Sequence, residues 1–255
     1  VGYGFKHEVH GLRVVDKLTN YGSGLNLTYE VRDGIISHCG ERFERCVAPD
    51  RSRNLYDLEH INDRAIYPST LEGCLVRLVD RIAYLGRDME DAIKAGIIKK
   101  SDLPQEIAKN LGTENGKIIG VFVNDTISSS LGKDAIEMSE EVFGYMNMLK
   151  EFNYKYIYMY PEVERKSHKT ANIIALLYNE LEKIFNCSER GRNTSYVQVL
   201  VKESPLTEIF FHFIKNTNYT DETPSWRIIT DYVAGMTDSF AERTFMQLFI
   251  PDPVV

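Results

Sequence analysis

Apolar residues recur at helical spacing along most of this chain. Phe5, Val9, Leu12 and Val15 follow one another at steps of 4, 3 and 3, which predicts a helix over 5–18. A turn-rich stretch at 20–24 follows, and Val31 and Ile35 predict a second helix over 28–38. Residues 40–67 are polar, arginine-rich and aperiodic, and read as a long loop. The clearest helix comes next: Leu71, Leu75, Leu78, Ile82, Leu85, Met89 and Ile93 repeat at steps of 4, 3, 4, 3, 4 and 4. Ser69 and Glu72 are spaced as a capping box before it, and Gly96 stops it. Further helices are predicted near 102–110, 117–131, 135–150, 167–187, 205–215 and 225–249, and 195–201 alternates as a strand would. The pattern therefore specifies a mostly α protein with little β. A composition shift over 97–116 predicts a boundary between a core part, 1–96, and a C-terminal helical part, 97–255.

Composition narrows the partners. The chain has 255 residues, 43% of them hydrophobic, enough for one substantial core or a main domain with a satellite. With 30 Lys+Arg against 37 Asp+Glu the formal charge is −7, which argues against a global electrostatic grip on DNA or RNA. No stretch approaches the ~20 apolar residues that cross a bilayer. The opening residues carry neither a basic nor an apolar leader segment, so no signal peptide is expected, and the missing initiator Met suggests a fragment or processed product. Cys39, Cys46, Cys74 and Cys187 stand at scattered spacings without a CxxC, which predicts reduced thiols in a cytoplasmic protein.

The chemistry is concentrated on one helix. On a wheel of ~100° per residue, the 71–95 helix puts its aliphatic stripe on one side and Arg77, Asp80, Arg81, Tyr84, Asp88 and Asp91 on the other. Asp80, Tyr84 and Asp88 stand at i, i+4 and i+8, a carboxylate, a phenol and a carboxylate along one ridge. Spacing alone also fits a solvated face making weak i,i+4 pairs. Tyr84 on that face and Asp80 directly after Leu78 and Val79 favour a site. Elsewhere His10 is one turn from His7, and His38 has no partner legible in the sequence.

The run Leu-Val-Asp80-Arg-Ile-Ala-Tyr84-Leu-Gly-Arg-Asp88-Met-Glu-Asp91 resembles the trailing-aspartate helix of the HD-domain deoxynucleoside triphosphate triphosphohydrolases, the dGTPase-like family. Gly4-Phe5-Lys6-His7-Glu8 is similar to the segment after that family's His-Asp motif. Leu25-Asn-Leu-Thr-Tyr-Glu-Val-Arg-Asp-Gly-Ile-Ile-Ser-His38 and Asp231-Tyr-Val-Ala-Gly-Met-Thr-Asp238 resemble two further helices, in the family's order. The resemblance implies an HD-domain-like helical bundle with additional C-terminal helices. It covers nearly all of this chain, as the part after the His-Asp motif; none of the 255 residues forms a His-Asp dipeptide.

Carried over by resemblance, Asp80 is the fourth ligand of a divalent metal, Mg, Mn, Fe or Zn. Arg81 contacts the triphosphate, Tyr84 and Asp88 read the deoxyribose near its 3′-hydroxyl, and His7 stands near the attacked phosphate. The implied reaction is metal-assisted attack of water on the α-phosphorus of a deoxynucleoside triphosphate, releasing deoxynucleoside and tripolyphosphate. The resemblance also implies homo-oligomers and an effector nucleotide. Two rival readings stand beside it: a nucleotide-binding or regulatory subunit with a degenerate site, and HD-type hydrolysis of another nucleotide.

Overall fold

The computed structural model describes residues 6–39, 44–53, 58 and 66–250. Phe5 and Gly4 of the first motif and most of the expected 40–67 loop lie outside the described residues. Among those described are eleven α-helices. They are α1 (His7–Arg13), α2 (Tyr29–Ser37), α3 (Leu71–Lys94), α4 (Gln105–Asn110), α5 (Asn115–Ser130) and α6 (Glu140–Asn153), then α7 (Pro161–Cys187), α8 (Thr194–Glu203), α9 (Pro205–Asn216), α10 (Ser225–Ala234) and α11 (Asp238–Phe249). The β structure described is a two-stranded antiparallel pair of β1 (Cys46–Val47) with β2 (Ile136–Glu137), in which Cys46 faces Glu137 and Val47 faces Ile136. The fold is all-α, and among the described residues no helix is long and apolar enough to cross a membrane.

Two compact units result. One holds the described residues within Val1–Arg13 and Asn26–Glu164, the other Val14–Leu25 and the described part of Arg165–Val255. In the first, a single apolar cluster runs from Leu78, Ile82, Leu85 and Met89 of α3 through Ile107, Ile118 and Phe122 to Met146, Leu149 and Ile157. It passes without a break across the composition shift at 97–116, because α5 and α6 pack on α3 and α4 packs on α6. The second unit has an aromatic core of Phe185, Phe210 and Tyr232 with Leu181, Ile184, Ile228 and Ile229. There the buried Asp231 accepts a hydrogen bond from the Tyr219 hydroxyl at 3.0 Å.

Helix α3 carries the site and is closed at both ends. Its cap is Thr70, whose Oγ accepts from the Gly73 N–H at 3.1 Å. The box expected from Ser69 and Glu72 does not form, since Ser69 is engaged elsewhere: its N–H and its hydroxyl both donate to Asp33 of α2, at 2.7 and 2.9 Å. At the other end Gly96 takes φ +72°, the Ile97 N–H reaches the Ala92 carbonyl, and the Gly96 N–H reaches that of Ile93. This is the pairing that satisfies the last carbonyls of a helix, and it needs a residue free of a Cβ at the left-handed position. Gly73 is required for room: a Cβ there would stand 2.6 Å from the Pro68 ring.

Three further expectations are corrected. Residues 195–201 are helical, inside α8, despite alternating valines. Asn193 caps the segment by accepting from the Tyr196 N–H at 3.2 Å, and Leu200 packs on the aromatic core while Val199 stays exposed. The 225–249 helix is two helices. Gly235 ends α10, and the Thr237 Oγ starts α11 by accepting from the Phe240 N–H at 3.2 Å. The helix expected over 135–150 begins later, at Glu140, after Ile136–Glu137 have paired with β1 and Ser139 has capped the new helix.

Candidate functional site

The candidate site is built on the outer ridge of α3, facing the end of α2. Arg77 was expected on a wet face, yet its side chain is 1% exposed. One guanidinium nitrogen donates to the carbonyls of Ser37 (2.9 Å), Cys39 (2.7 Å) and Ile66 (3.0 Å). Nε and the other nitrogen hold the two oxygens of Glu44 at 3.1 and 3.2 Å. The last carbonyls of a helix have no intrahelical donor, and the end of a helix favours positive charge. Arg77 meets both needs for α2 and so fastens the stretch containing His38 and Cys39 to α3. A partly exposed Tyr67 stacks its ring on the Arg77 guanidinium at 5.0 Å and donates its hydroxyl to Glu44 at 3.0 Å.

Arg81 lies one turn on, also buried, with its guanidinium 3.4 Å from Glu44. Burial lowers its pKa, and the neighbouring Glu44 opposes that. Burial also works against the Glu44 carboxylate, but the hydrogen bonds and charge of Arg77, with Tyr67 and Arg81, outweigh it and hold Glu44 below the usual range. A second ion pair secures the same corner: Asp33, fully buried in α2, stands 2.9 Å from Arg53 and takes the two Ser69 donors described above.

The ridge itself is polar and open. Asp80 is exposed, Tyr84 is 37% exposed and Asp88 is half-buried. Burial raises the Tyr84 pKa, and the charges of Asp80 and Asp88 push it further, with Arg81 opposing. The phenol therefore stays protonated at neutral pH. Asp88 is oriented from outside α3. The buried Asn153 donates to the Leu85 carbonyl at 2.8 Å, the chain continues into a π-helical turn over Tyr154–Tyr158, and the Tyr158 hydroxyl donates to Asp88 at 2.5 Å. Burial and that bond drive the Tyr158 pKa far upward, so it too is a fixed donor.

His7 sits at the start of α1, exposed, with Nδ1 3.3 Å from Glu8 and Nε2 2.9 Å from the Cys39 Sγ. Its ring is edge-on to that of His38, centroids 5.2 Å apart. His7 thus reaches the α2 terminus through Cys39, whose carbonyl accepts from Arg77. Arg81, Tyr84, Asp80 and Asp88 are gathered on one helix, and His7 is joined to them by way of the α2 terminus. His38, Cys39, Glu44 and Tyr158 were missed, because each is brought in by tertiary contact. The one available signal was the placement of His38 and Cys39 directly after an amphipathic helix.

The donor sets differ across the site. Among the described residues the group of three His, Cys, Asp or Glu side chains able to converge on an ion is His7, His38 and Cys39, with one ligand atom from each within 4.8 Å of the others. Asp80 stands outside it and brings a single carboxylate. One carboxylate by itself does not hold a divalent ion against water, and among the described residues Asp80 belongs to no group of three converging donors.

Residues 197–247 match the phosphohydrolase-associated domain family. Over 254 residues the chain is 31% identical to the deoxyguanosinetriphosphate triphosphohydrolase-like protein of Caldanaerobacter subterraneus subsp. tengcongensis, covering 98% of this chain and 60% of that protein. The proteins of the same description from Clostridium perfringens (strain 13 / Type A) and Desulfatibacillum aliphaticivorans are each 30% identical, over 97% and 98% of this chain and 61% and 63% of their own lengths. The chain therefore spans about three-fifths of the length of these curated relatives.

Proposed function

We propose that this chain, a relative of the deoxyguanosinetriphosphate triphosphohydrolase-like proteins, carries the deoxynucleotide-recognising face of a triphosphohydrolase. The observation that carries the reading is the Asp80–Tyr84–Asp88 ridge, whose last carboxylate is aimed by Tyr158. Tyr84 offers a ring to the sugar carbons. Asp88 has one oxygen held by the Tyr158 hydroxyl, which leaves acceptor capacity for a sugar hydroxyl. Arg81, a cation set behind the ridge, offsets the charge of a triphosphate, and its burial strengthens that field. His7 has Nδ1 turned to Glu8 and Nε2 on the Cys39 thiol, and Nε2 is the atom that would exchange that contact for the attacked phosphate. A divalent ion at Asp80 would polarise the phosphate, with its remaining donors coming from elsewhere.

The test separates recognition from turnover. Calorimetric binding of dGTP, 2′,3′-dideoxy-GTP and GTP to the 255-residue chain should favour dGTP over the dideoxy analogue. Asp88→Ala should erase that preference, roughly tenfold for one hydrogen bond to a charged group. Release of tripolyphosphate by this chain should be weak, since it brings one carboxylate to the metal. Asp88→Ala with unchanged discrimination would overturn the sugar-reading role, and vigorous metal-dependent release would overturn the one-donor account of Asp80.

A further inference from the structure

We infer that His7, His38 and Cys39 form a binding site for a thiophilic divalent transition ion, zinc or its surrogate cobalt, distinct from the carboxylate at Asp80. Three donors from two helix ends bring one ligand atom each within 4.8 Å of the others. Zinc bonds of about 2.3 Å to sulfur and 2.0–2.1 Å to nitrogen set tetrahedral ligand atoms roughly 3.5 Å apart, so the ion needs the most separated of these atoms to close in and the His7 Nε2–Cys39 Sγ pair, at 2.9 Å, to open slightly.

The tautomers are set for it. His38 Nδ1 stands 2.6 Å from the Ile35 carbonyl, which can only accept, so Nδ1 carries the hydrogen and Nε2 keeps its lone pair. His7 Nδ1 faces the Glu8 carboxylate at 3.3 Å, which imposes the same tautomer and turns its Nε2 lone pair to Cys39. A backbone carbonyl or carboxylate behind each imidazole is the outer-shell arrangement that orients histidine ligands and raises their basicity. Arg77 supplies rigidity by holding the Cys39 carbonyl at 2.7 Å.

The donor chemistry chooses the ion. Two imidazoles and a thiolate suit zinc or cobalt and reject magnesium and calcium, which take oxygen ligands. Binding forms two metal–nitrogen bonds and one metal–sulfur bond, releases the thiol proton to solvent, and leaves a fourth position for water. The inference goes beyond the hydrolytic reading and does not depend on it. It adds one consequence: an ion here occupies the His7 Nε2 that hydrolysis would use.

The experiment titrates the metal-free, reduced 255-residue chain with cobalt, then displaces cobalt with zinc. One equivalent of cobalt should develop a near-ultraviolet sulfur-to-metal charge-transfer band together with tetrahedral visible bands. Cys39→Ser should abolish the charge-transfer band, whereas Cys187→Ser should leave it. His38→Gln should weaken zinc by more than the ~10–100-fold that loss of an outer-shell partner costs. Far-UV circular dichroism confirms that each variant is folded, and His7→Gln provides a second ligand deletion should His38→Gln fail that check. Cobalt spectra without a thiolate band, zinc binding unchanged in Cys39→Ser, or displacement of zinc by millimolar magnesium would each overturn the site. None of these readouts involves nucleotide, so failure of the hydrolytic reading leaves them unaffected.

Discussion

Replacing Arg77 by alanine should be among the most damaging single changes in the first unit. The side chain is 1% exposed and is joined to five acceptors: two Glu44 oxygens and the carbonyls of Ser37, Cys39 and Ile66, at 2.7 to 3.2 Å. Removing one partner of a buried ion pair costs about 3–5 kcal/mol, because the other charge is left uncompensated. Glu44 keeps Tyr67 and Arg81 and is 17% exposed, which draws the estimate to the lower end of that range. With a urea slope of about 1–3 kcal/mol/M, a loss of ~3 kcal/mol moves the midpoint down by roughly 1–3 M. Arg77→Lys keeps the charge but has three donors on one nitrogen and cannot span the fan of acceptors, so it should recover only part of the loss.

The assay is urea unfolding followed by far-UV circular dichroism, with hydrogen exchange of the α2 and α3 amides as the local probe. The only tryptophan, Trp226, lies in the second unit, and its fluorescence reports that unit separately. A cycle with Glu44→Gln should be non-additive by about 1–3 kcal/mol, as expected for groups in one network. If Arg77→Ala costs no more than the ~0.5 kcal/mol typical of surface changes, the capping role of Arg77 is refuted.

Two further outcomes are expected. Glu44 has a folded-state pKa below its unfolded value, so its contribution to stability is complete above the ordinary glutamate range near ~4.3 and is lost as pH falls through the depressed value. Urea midpoints measured from pH 7 to pH 3 should therefore drop on acidification, and Glu44→Gln should flatten that drop; an equal slope in the variant would count against the network. Gly73→Ala should destabilise by about 1–3 kcal/mol, even though alanine has the better helix propensity, because its Cβ meets the Pro68 ring at 2.6 Å and crowds the Thr70 cap. A thermal midpoint equal to or above that of the parent would refute this.

The helical class and the position of α3 were legible along the chain because a 3.6-residue period in apolar residues has one efficient burial, and Leu78, Ile82, Leu85 and Met89 satisfy it. The Asp80–Tyr84–Asp88 ridge was legible for the same reason, since residues four apart share a helix face. The resemblance to the triphosphohydrolase-like proteins was legible because it rests on contiguous motifs, and the curated relatives bear it out over nearly the whole chain. What lay beyond reach was any role set by a partner distant in the chain. A helical wheel assigns Arg77 to solvent, and its burial follows from carbonyls about forty residues earlier that need a donor. Ser69 looked like a cap until Asp33, buried from another helix, claimed both of its donors. The alternating valines of 195–201 satisfy a strand's period as well as they tolerate a helix, and the Asn193 cap and the packing of Leu200 settle it. Local period is written in neighbouring residues. Which polar group answers which buried one is an account closed only when separate helices meet.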